Sequence, residues 1–493
     1  MEGGVIKAVL RSTIAAAAML AGPGHLVAFG QAPPLLHPMF RDHAVLQRDR
    51  PVAIWGRAAP GDEVTVTLAG ASATARADAS GRWTATLPPL RAGGPYTLVA
   101  SASSGARATV GDVLVGDVFL CSGQSNMVLE VRRTLDSRAE IANSATDSIR
   151  MLAVPLAASP TPLDTFRAPV DWQVAAPATT PDWSAACFYF ARELQKTVHV
   201  PIGLVNASWG GSNIRPWMSE AALHTAGDYE VGLEVLRLYA TDPAAAARRF
   251  GTVWEEWWRG RAPARDAAEP WSAGPIRDQE WGTAPATLGF WERWGVSELA
   301  SFNGMVWYRT TVRLSAAQAA LGAVLSLGAI DEIDQTWVNG LPVGYTSDWS
   351  ADRLYELSAG TLREGENVVV VNVLDTYGTG GMYGPAEKRA LRLQNGEVIP
   401  LNGVWRYQVV RSDMGARPRA PWEATGGLAT LYNAMIAPIG PYGFRGVVWY
   451  QGESNTGEAE RYRSLLAGFM ADWRARFGAD LPFLVVQLAN YGA

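Results

Sequence analysis

The chain has 493 residues, more than one ordinary hydrophobic core accommodates, so we expect two to four domains. Hydrophobic residues make up 48% of the sequence and charged residues 18%, which is typical of globular proteins and excludes a largely disordered chain. The formal net charge is -5 and the sequence contains no basic block, so we expect neither nucleic acid nor an anionic membrane surface as a partner.

Residues 1–30 have the pattern of an export signal. Lys7 and Arg11 supply a positive n-region, the apolar stretch STIAAAAMLAG follows, and small residues around Gly30 predict a cleavage site. This stretch is too short to span a bilayer, and no second candidate segment follows it. The sequence therefore predicts a periplasmic or secreted protein with no membrane span.

The mature chain changes pattern twice. Residues 33–112 contain short alternating segments such as EVTVTLAG between Gly and Pro turns, which predict an N-terminal antiparallel β-sandwich. From residue 113 the strands become continuously apolar, as in VLVGDVFLCS, and helical spacing follows in SAACFYFARELQKTV. The same alternation returns over residues 411–493. Residues 113–250 and 411–493 are therefore expected to form the two parts of one α/β domain with a parallel sheet.

Residues 251–410 differ from both neighbouring segments. They open with a Trp-rich stretch and continue as short strands with hairpin signals at Asn339-Gly340 and Glu364-Gly365. We predict an all-β domain inserted through surface loops of the α/β domain. The chain contains 20 Trp, and two explanations are open: stacking on sugar rings, or filling of β-sandwich cores.

The two cysteines, Cys121 and Cys187, do not form a disulfide framework by number or spacing. Each lies in an apolar run, so we expect two buried thiols rather than a bridge. No metal-ligand cluster, phosphate loop or dinucleotide fingerprint is present, and the sequence therefore predicts neither a metal nor a cofactor.

Three strand ends carry polar and small residues that belong together chemically. Gln124, Ser125 and Asn126 follow the first strand, Gly210, Gly211 and Asn213 follow the second, and Gln451 and Glu453 follow the third. Carboxyl ends of parallel strands meet at one edge of a sheet, where ligands bind. Alone, a Ser in a Gly turn is more often a helix cap than a nucleophile, and a Gly pair is usually only a tight turn.

Acyl transfer needs these groups at one place. A hydroxyl must attack the carbonyl carbon, while backbone N–H groups and a side-chain amide receive the negative charge that develops on the oxygen. Ser125 supplies the hydroxyl, a glycine of the 210–211 pair allows close backbone approach, and the Gln451 amide is a further donor. The turn also lacks the G-x-S-x-G spacing of an α/β-hydrolase nucleophile elbow.

The motifs PMFRDHAVLQRDRPVAIWG, GDVFLCSGQSNM, GLVNASWGGSNIRPWMS and GVVWYQGESN resemble the sialate O-acetylesterase family of SGNH-type carbohydrate esterases. The resemblance implies an SGNH/flavodoxin-like parallel sheet and removal of O-acetyl groups from an acetylated carbohydrate substrate. It implies Ser125 as nucleophile, an oxyanion hole from Ser125, Gly210 or Gly211 and Gln451, and support from the polar neighbours Gln124, Asn126, Asn213 and Glu453. The segment from WYRTTVRL to GENVVVVNVLDT resembles the sugar-binding jelly roll of β-galactosidase-type enzymes.

The sequence departs from this family at its general base. The family's Asp-x-x-His motif occurs nowhere in the chain, and no His follows His224. The remaining histidines, His25, His37, His43 and His199, have no expected place beside Ser125. We therefore expect the final part of the α/β domain to be missing and this chain to be weakly active or inactive. The alternative is a non-catalytic carbohydrate-binding protein with a degenerate esterase domain.

Overall fold

The computed structural model describes residues 34–262, 269–274, 280–411 and 413–489. The predicted export signal at residues 1–30 lies outside the described residues. No helix of the described part combines the length and apolar character needed to cross a bilayer.

The N-terminal region consists of short antiparallel strands around an apolar core. Alternating burial along β3 and β5 places Val64, Val66, Trp83 and Leu87 inside. β2 pairs with β5, and a second sheet has the order β4-β3-β6-β7. The strands are β1 (Val45–Gln47), β2 (Val52–Arg57), β3 (Glu63–Leu68), β4 (Ala71–Arg76), β5 (Arg82–Leu87), β6 (Gly93–Ala102) and β7 (Arg107–Gly123).

Strand β7 is 17 residues long and crosses the predicted domain boundary at residue 112 without a break. Its amino-terminal half pairs antiparallel with β6, and its carboxyl-terminal half pairs in parallel with β10 on one side and β23 on the other. Every residue from Val113 to Gly123 is buried. One strand therefore belongs both to the N-terminal sheet and to the centre of the α/β sheet.

The α/β sheet places β10 between β7 and β8, followed on the other side of β7 by β23 and β24. All these pairs are parallel, and only β9 is antiparallel, at the edge. The prediction of a parallel sheet is confirmed. Along the sheet, the parallel strands have the order β8-β10-β7-β23-β24.

The remaining elements of this domain are β8 (Thr146–Ala153), β9 (Trp172–Ala175), β10 (Ile202–Ser208), β23 (Gly446–Tyr450) and β24 (Phe483–Val485). Its helices are α1 (Ser125–Val128), α2 (Ser137–Ala142), α3 (Ala185–Val198), α4 (Glu220–Ala226), α5 (Glu230–Thr241), α6 (Pro243–Arg261) and α8 (Ala459–Phe477). Helix α3 begins at a Ser184 cap, whose hydroxyl accepts a hydrogen bond from the Cys187 N–H.

The inserted segment is a sandwich of two antiparallel sheets, ordered β11-β22-β13-β18-β15-β16 and β17-β14-β20-β21. Val306 and Val371 of the first sheet share one buried core with Leu325 and Leu391 of the second. The jelly-roll connectivity stays a prediction. The elements are β11 (Gly282–Thr283), β12 (Gly289–Phe290), β13 (Gly304–Leu314), α7 (Ala316–Ala319), β14 (Ala323–Ala329), β15 (Ile333–Val338), β16 (Leu341–Thr346), β17 (Asp352–Leu357), β18 (Gly365–Asp375), β19 (Gly381–Met382), β20 (Ala390–Leu393), β21 (Val398–Pro400) and β22 (Arg406–Val409).

A cluster of tryptophans joins helix α6 to the inserted sandwich. Trp254 stacks on Trp258 at a centroid distance of 5.6 Å and meets Trp307 of β13 edge-on at 5.5 Å. The helix runs through the predicted boundary at residue 250. Seven tryptophans belong to this buried cluster: Trp254, Trp257, Trp258, Trp271, Trp281, Trp307 and Trp337. Of the two explanations for the abundant Trp, core packing holds for these seven.

Cys121 and Cys187 form a disulfide, so the prediction of two buried thiols was wrong. Cys121 lies in the buried half of β7, and Cys187 lies in the first turn of α3, which packs over this face of the sheet. Their Cα atoms are 6.1 Å apart, within the range that a disulfide spans. Two apolar runs considered separately do not reveal that the crossover helix brings these side chains together.

Loss of this bridge should destabilise the protein. It closes a loop with a sequence separation of 66, for which chain-entropy arguments give about 4 kcal/mol. We expect Cys121→Ala, Cys187→Ala and the double variant to lose similar amounts of unfolding free energy in urea, because either substitution opens the same loop. Two titratable thiols in the denatured, unreduced wild-type protein would contradict the bridge.

Candidate active site

Ser125 lies at a sharp turn where β7 leaves the sheet. Gly123 has a φ of 141°, and a Cβ there would lie 2.1 Å from the Tyr450 carbonyl oxygen of β23, so only glycine fits. The next N–H, of Gln124, donates to that same carbonyl at 3.0 Å. Helix α1 begins at Ser125 and lasts a single turn, with the Ser125 side chain exposed.

The loop after β10 lies directly beside this serine. β10 pairs with β7 as far as Ser208 opposite Gly123, and the Trp209 N–H then donates to the Gly123 carbonyl oxygen at 3.0 Å. A Cβ on Gly210 would lie 3.7 Å from both Cα and Cβ of Ser125. Gly211 has a φ of 75°, with open space around its Cα. The predicted neighbours from the first two strand ends are therefore brought together.

Backbone N–H groups at this turn are free to bind a ligand. Within the described ranges, the N–H groups of Ser125, Gly210 and Gly211 donate to no protein acceptor. The Ser125 hydroxyl likewise has no hydrogen bond to any described residue. An exposed hydroxyl beside unpaired N–H donors is the arrangement that acyl transfer requires.

The third strand end lies beneath the turn as a buried amide network. Gln451 is 2% exposed, and its Nε2 donates to Gln124 Oε1 at 3.1 Å, to the Ser212 carbonyl at 3.0 Å and to Asn455 Oδ1 at 2.8 Å. Gln124 Oε1 also accepts from the N–H groups of Gly452 and Ser454. The Gln451 amide hydrogens are thus directed at protein acceptors, and its Oε1 is buried without a partner.

Asn455 completes this network, and the sequence-based reasoning did not single it out. Its Nδ2 donates to Asn213 Oδ1 at 2.7 Å, and its Oδ1 accepts from the Ile214 N–H at 3.1 Å. Asn213 Oδ1 is also 3.4 Å from Arg215, which pairs with Glu458. The polar run Gln-Gly-Glu-Ser-Asn after a buried strand indicated that polar side chains gather here. The sequence alone does not show in which direction each of these side chains points.

Asn126 and Glu453 form a second link between the first and third strand ends. Asn126 Nδ2 donates to Glu453 Oε1 at 2.5 Å. The other carboxylate oxygen, Oε2, is buried and has no partner among the described residues. This pair therefore links α1 to the loop after β23.

None of the four described histidines contacts Ser125. His43 Nδ1 lies 2.6 Å from Asp112 Oδ2, but Asp112 precedes Gly123 by eleven residues of extended strand, which is about 36 Å. His199 caps the end of α3 before β10 begins. His224 Nδ1 lies 3.5 Å from exposed Glu230 on the next helix.

His37 is buried in the N-terminal region, where its ring is fixed as a neutral tautomer. Its Nε2 donates to the Asp164 carbonyl at 3.1 Å, and its Nδ1 accepts from the Met39 N–H at 3.3 Å. Burial lowers the pKa of His37 to about 4. No group of three or more His, Cys, Asp or Glu side chains suited to a metal occurs among the described residues.

Comparison with known proteins matches the two segments that build this site. A family model described as carbohydrate esterase, sialic acid-specific acetylesterase, matches residues 115–237 and 409–493. Mouse sialate O-acetylesterase is 35% identical over 203 residues, which are 38% of this chain and 38% of that protein. The human sialate O-acetylesterase is 36% identical over 201 residues, or 37% of this chain and 38% of that protein.

A solved carbohydrate acetylesterase from Xanthomonas citri has a similar fold, with a TM-score of 0.50 and 24% sequence identity. The alignment covers 93% of this chain and 61% of that one. The fold is therefore similar to that of this carbohydrate acetylesterase. The two matched segments are similar to sialate O-acetylesterases, as their motifs predicted, and the chain spans well under half the length of the curated relatives it matches.

Substitutions of Gly123 and Gly211 should separate the effect of the close approach of β23 from the effect of a positive φ alone. Gly123→Ala places a Cβ against the Tyr450 carbonyl in a backbone region unfavourable to alanine, so we expect a loss of about 3 kcal/mol or more in unfolding free energy. Gly211→Ala, with positive φ but open space, should lose about 1 kcal/mol. Urea denaturation measures both, and equal losses would contradict the close approach of β23.

His37 should make the protein acid-sensitive. Its folded pKa of about 4 lies below the ordinary 6.5, so its contribution to stability is complete above pH 6.5 and is lost as the pH falls towards 4. Between pH 7 and pH 4 we expect the wild type to lose about 3 kcal/mol more unfolding free energy than His37→Gln. Parallel pH dependences of the two proteins would show that His37 does not titrate in this way.

Proposed function

We propose that this protein hydrolyses O-acetyl esters of carbohydrates, with Ser125 as the nucleophile. The observation that carries the proposal is the exposed Ser125 hydroxyl next to three unpaired N–H groups, in segments similar to sialate O-acetylesterases. The Ser125 oxygen attacks the acetyl carbonyl carbon, the sugar leaves as an alcohol, and water then hydrolyses the acetyl-enzyme to acetate.

The oxyanion is assigned to backbone donors. The N–H groups of Ser125 and of Gly210 or Gly211, in the loop that lies beside Ser125, donate to no other described group. Gln451, expected as a third donor, has its Nε2 engaged by three protein acceptors. We therefore assign Gln451 a positioning role, in which it holds Gln124 and thus the turn that carries Ser125.

Export through the leader at residues 1–30 is part of the proposal. The Cys121–Cys187 disulfide supports it, because such bridges persist in oxidising compartments outside the cytosol. The substrate class is an acetylated carbohydrate, as in the relatives' names, and the chemistry assigned to Ser125 uses only protein groups and water.

One observation favours a second candidate function, a carbohydrate-binding protein without hydrolysis. A serine hydroxyl needs a general base at neutral pH. No described histidine hydrogen-bonds Ser125. His43, which contacts the Asp112 carboxylate, lies at the opposite end of β7. Acetate release by the 493-residue protein distinguishes the two candidates.

Ser125→Ala should abolish activity without affecting the fold. Acetate release from an O-acetylated sugar should fall by about a thousandfold or more, because the acetyl-enzyme can no longer form. Ser122→Ala is the matched control, since Ser122 lies three residues earlier, near the end of β7, with a buried hydroxyl that has no partner among the described residues. Its activity should stay near that of the wild type.

Mass spectrometry after rapid quenching should find an acetyl group on Ser125. Full acetate release by Ser125→Ala would remove Ser125 from the mechanism. No acetate release by the wild type, together with retained binding of the same sugar, would establish the binding protein instead.

A further inference from the structure

A row of buried side chains crosses the face of the larger inserted sheet that helix α6 covers. Strand pairing sets Trp307 opposite Asn372, Asn372 opposite Gln335, and Gln335 opposite Tyr345. Residues directly opposite one another in neighbouring strands direct their side chains to the same face of the sheet. A Cβ on Gly251 of α6 would lie 3.4 Å from Gln335 Nε2, so the helix closes over this row.

Arg417, in the segment that follows β22, lies over the middle of the row. Its Nη1 is 3.4 Å from Asn372 Oδ1, and its guanidinium carbon is 5.6 Å from the centroid of the Tyr345 ring. Gln335 stands between these two contacts, because β15 lies between β18 and β16. Neighbouring strands are about 4.8 Å apart, so a guanidinium that reaches both outer residues lies above Gln335.

The polar atoms of this site do not satisfy one another. Five buried atoms have no hydrogen-bond partner among the described residues: Nε and Nη2 of Arg417, Nδ2 of Asn372, and Nε2 and Oε1 of Gln335. Gln335 and Asn372 are fully buried, and Arg417 is 7% exposed. Buried polar groups nearly always have a partner, and four of these five atoms are N–H donors. The site therefore lacks an acceptor.

The site also carries a positive charge without a counterion. No carboxylate of a described residue forms an ion pair with Arg417, since Asp334 pairs with Arg353 at 2.8 Å and Glu423 pairs with Arg419. Burial lowers the pKa of Arg417 to about 9, which leaves the guanidinium charged at neutral pH. A buried, unpaired charge is costly, so an anion among these donors would be stabilised.

We propose that a chloride ion binds in this site, held by Nε and Nη2 of Arg417 and by the side-chain amides of Asn372 and Gln335. A halide accepts hydrogen bonds from any direction, so it can use donors that come from a guanidinium edge and two separate amides. The donors are few and buried, and helix α6 closes one side at Gly251. These features suit one small monovalent anion.

The ion would join the inserted sandwich to the segment that returns to the α/β domain. Eight residues after Arg417, the Thr425 carbonyl accepts a hydrogen bond at 2.9 Å from the Asn213 N–H, in the loop that follows β10. Chloride should therefore fix one end of a segment whose other end supports the loop beside Ser125. This inference does not depend on the reaction proposed for Ser125.

A chloride titration of the melting temperature tests the site. Chloride replaces gluconate at constant ionic strength, so that the screening of surface charges stays the same. A site with a dissociation constant of about 10 mM should raise the melting temperature by about 3 °C between about 1 mM and about 300 mM chloride. Crystals soaked in bromide should show an anomalous peak beside Arg417, Asn372 and Gln335.

Arg417→Met should abolish the chloride dependence. In gluconate its melting temperature should not fall below that of the wild type, because the substitution removes an unpaired buried charge. Asn372→Leu keeps the charge and removes one donor, so it should weaken chloride binding by about tenfold. Arg411→Gln is the matched control: this exposed arginine pairs with Glu298, and its substitution should leave the chloride dependence unchanged.

Three outcomes would overturn the proposal. The first is a wild-type melting temperature that does not change with chloride, and the second is the same chloride dependence in Arg417→Met as in the wild type. The third is electron density without anomalous signal at this site in the bromide-soaked crystals, which would identify a buried water. None of these measurements uses esterase activity, so the site and the proposed reaction succeed or fail separately.

Discussion

The position of the candidate nucleophile depends on the hydrogen-bonded pairing of strand β7. Its last seven residues are paired in register with β10 on one side, and the last five also pair with β23 on the other. A register shift by one residue would turn every side chain to the opposite face. The contact of Gly123 with the Tyr450 carbonyl ends the strand, so Ser125 emerges at one defined point beside the Gly210 loop.

The polar groups of the site are divided between those that hydrogen-bond one another and those that have no protein partner. Gln124, Gln451 and Asn455 bind one another and the backbone below the turn, which makes them rigid supports. Above them, the Ser125 hydroxyl and the N–H groups of Ser125, Gly210 and Gly211 have no partner among the described residues. Unsatisfied groups in a well-packed surrounding indicate where a ligand completes the structure.

The sequence predicted much of this arrangement because local patterns carry it. Continuous apolar runs that end in small polar residues located β7, β10 and β23, and parallel pairing then placed Ser125 and Gly210 at one edge. The patterns did not reveal contacts made by packing between distant segments. The Cys121–Cys187 bridge depends on the path of α3, the place of β10 beside β7 depends on the crossover, and the direction of the Gln451 amide depends on Asn455.

The unbroken passage of β7 through both sheets has a mechanical consequence. Two domains joined by a flexible linker can open and rotate, but here the connection is a paired strand with no hinge, and Val113 to Gly123 are buried throughout. The N-terminal sheet and the edge that carries Ser125 should therefore move as one rigid body and unfold as one cooperative unit. Any surface of the N-terminal region consequently holds a fixed orientation relative to the turn that carries Ser125.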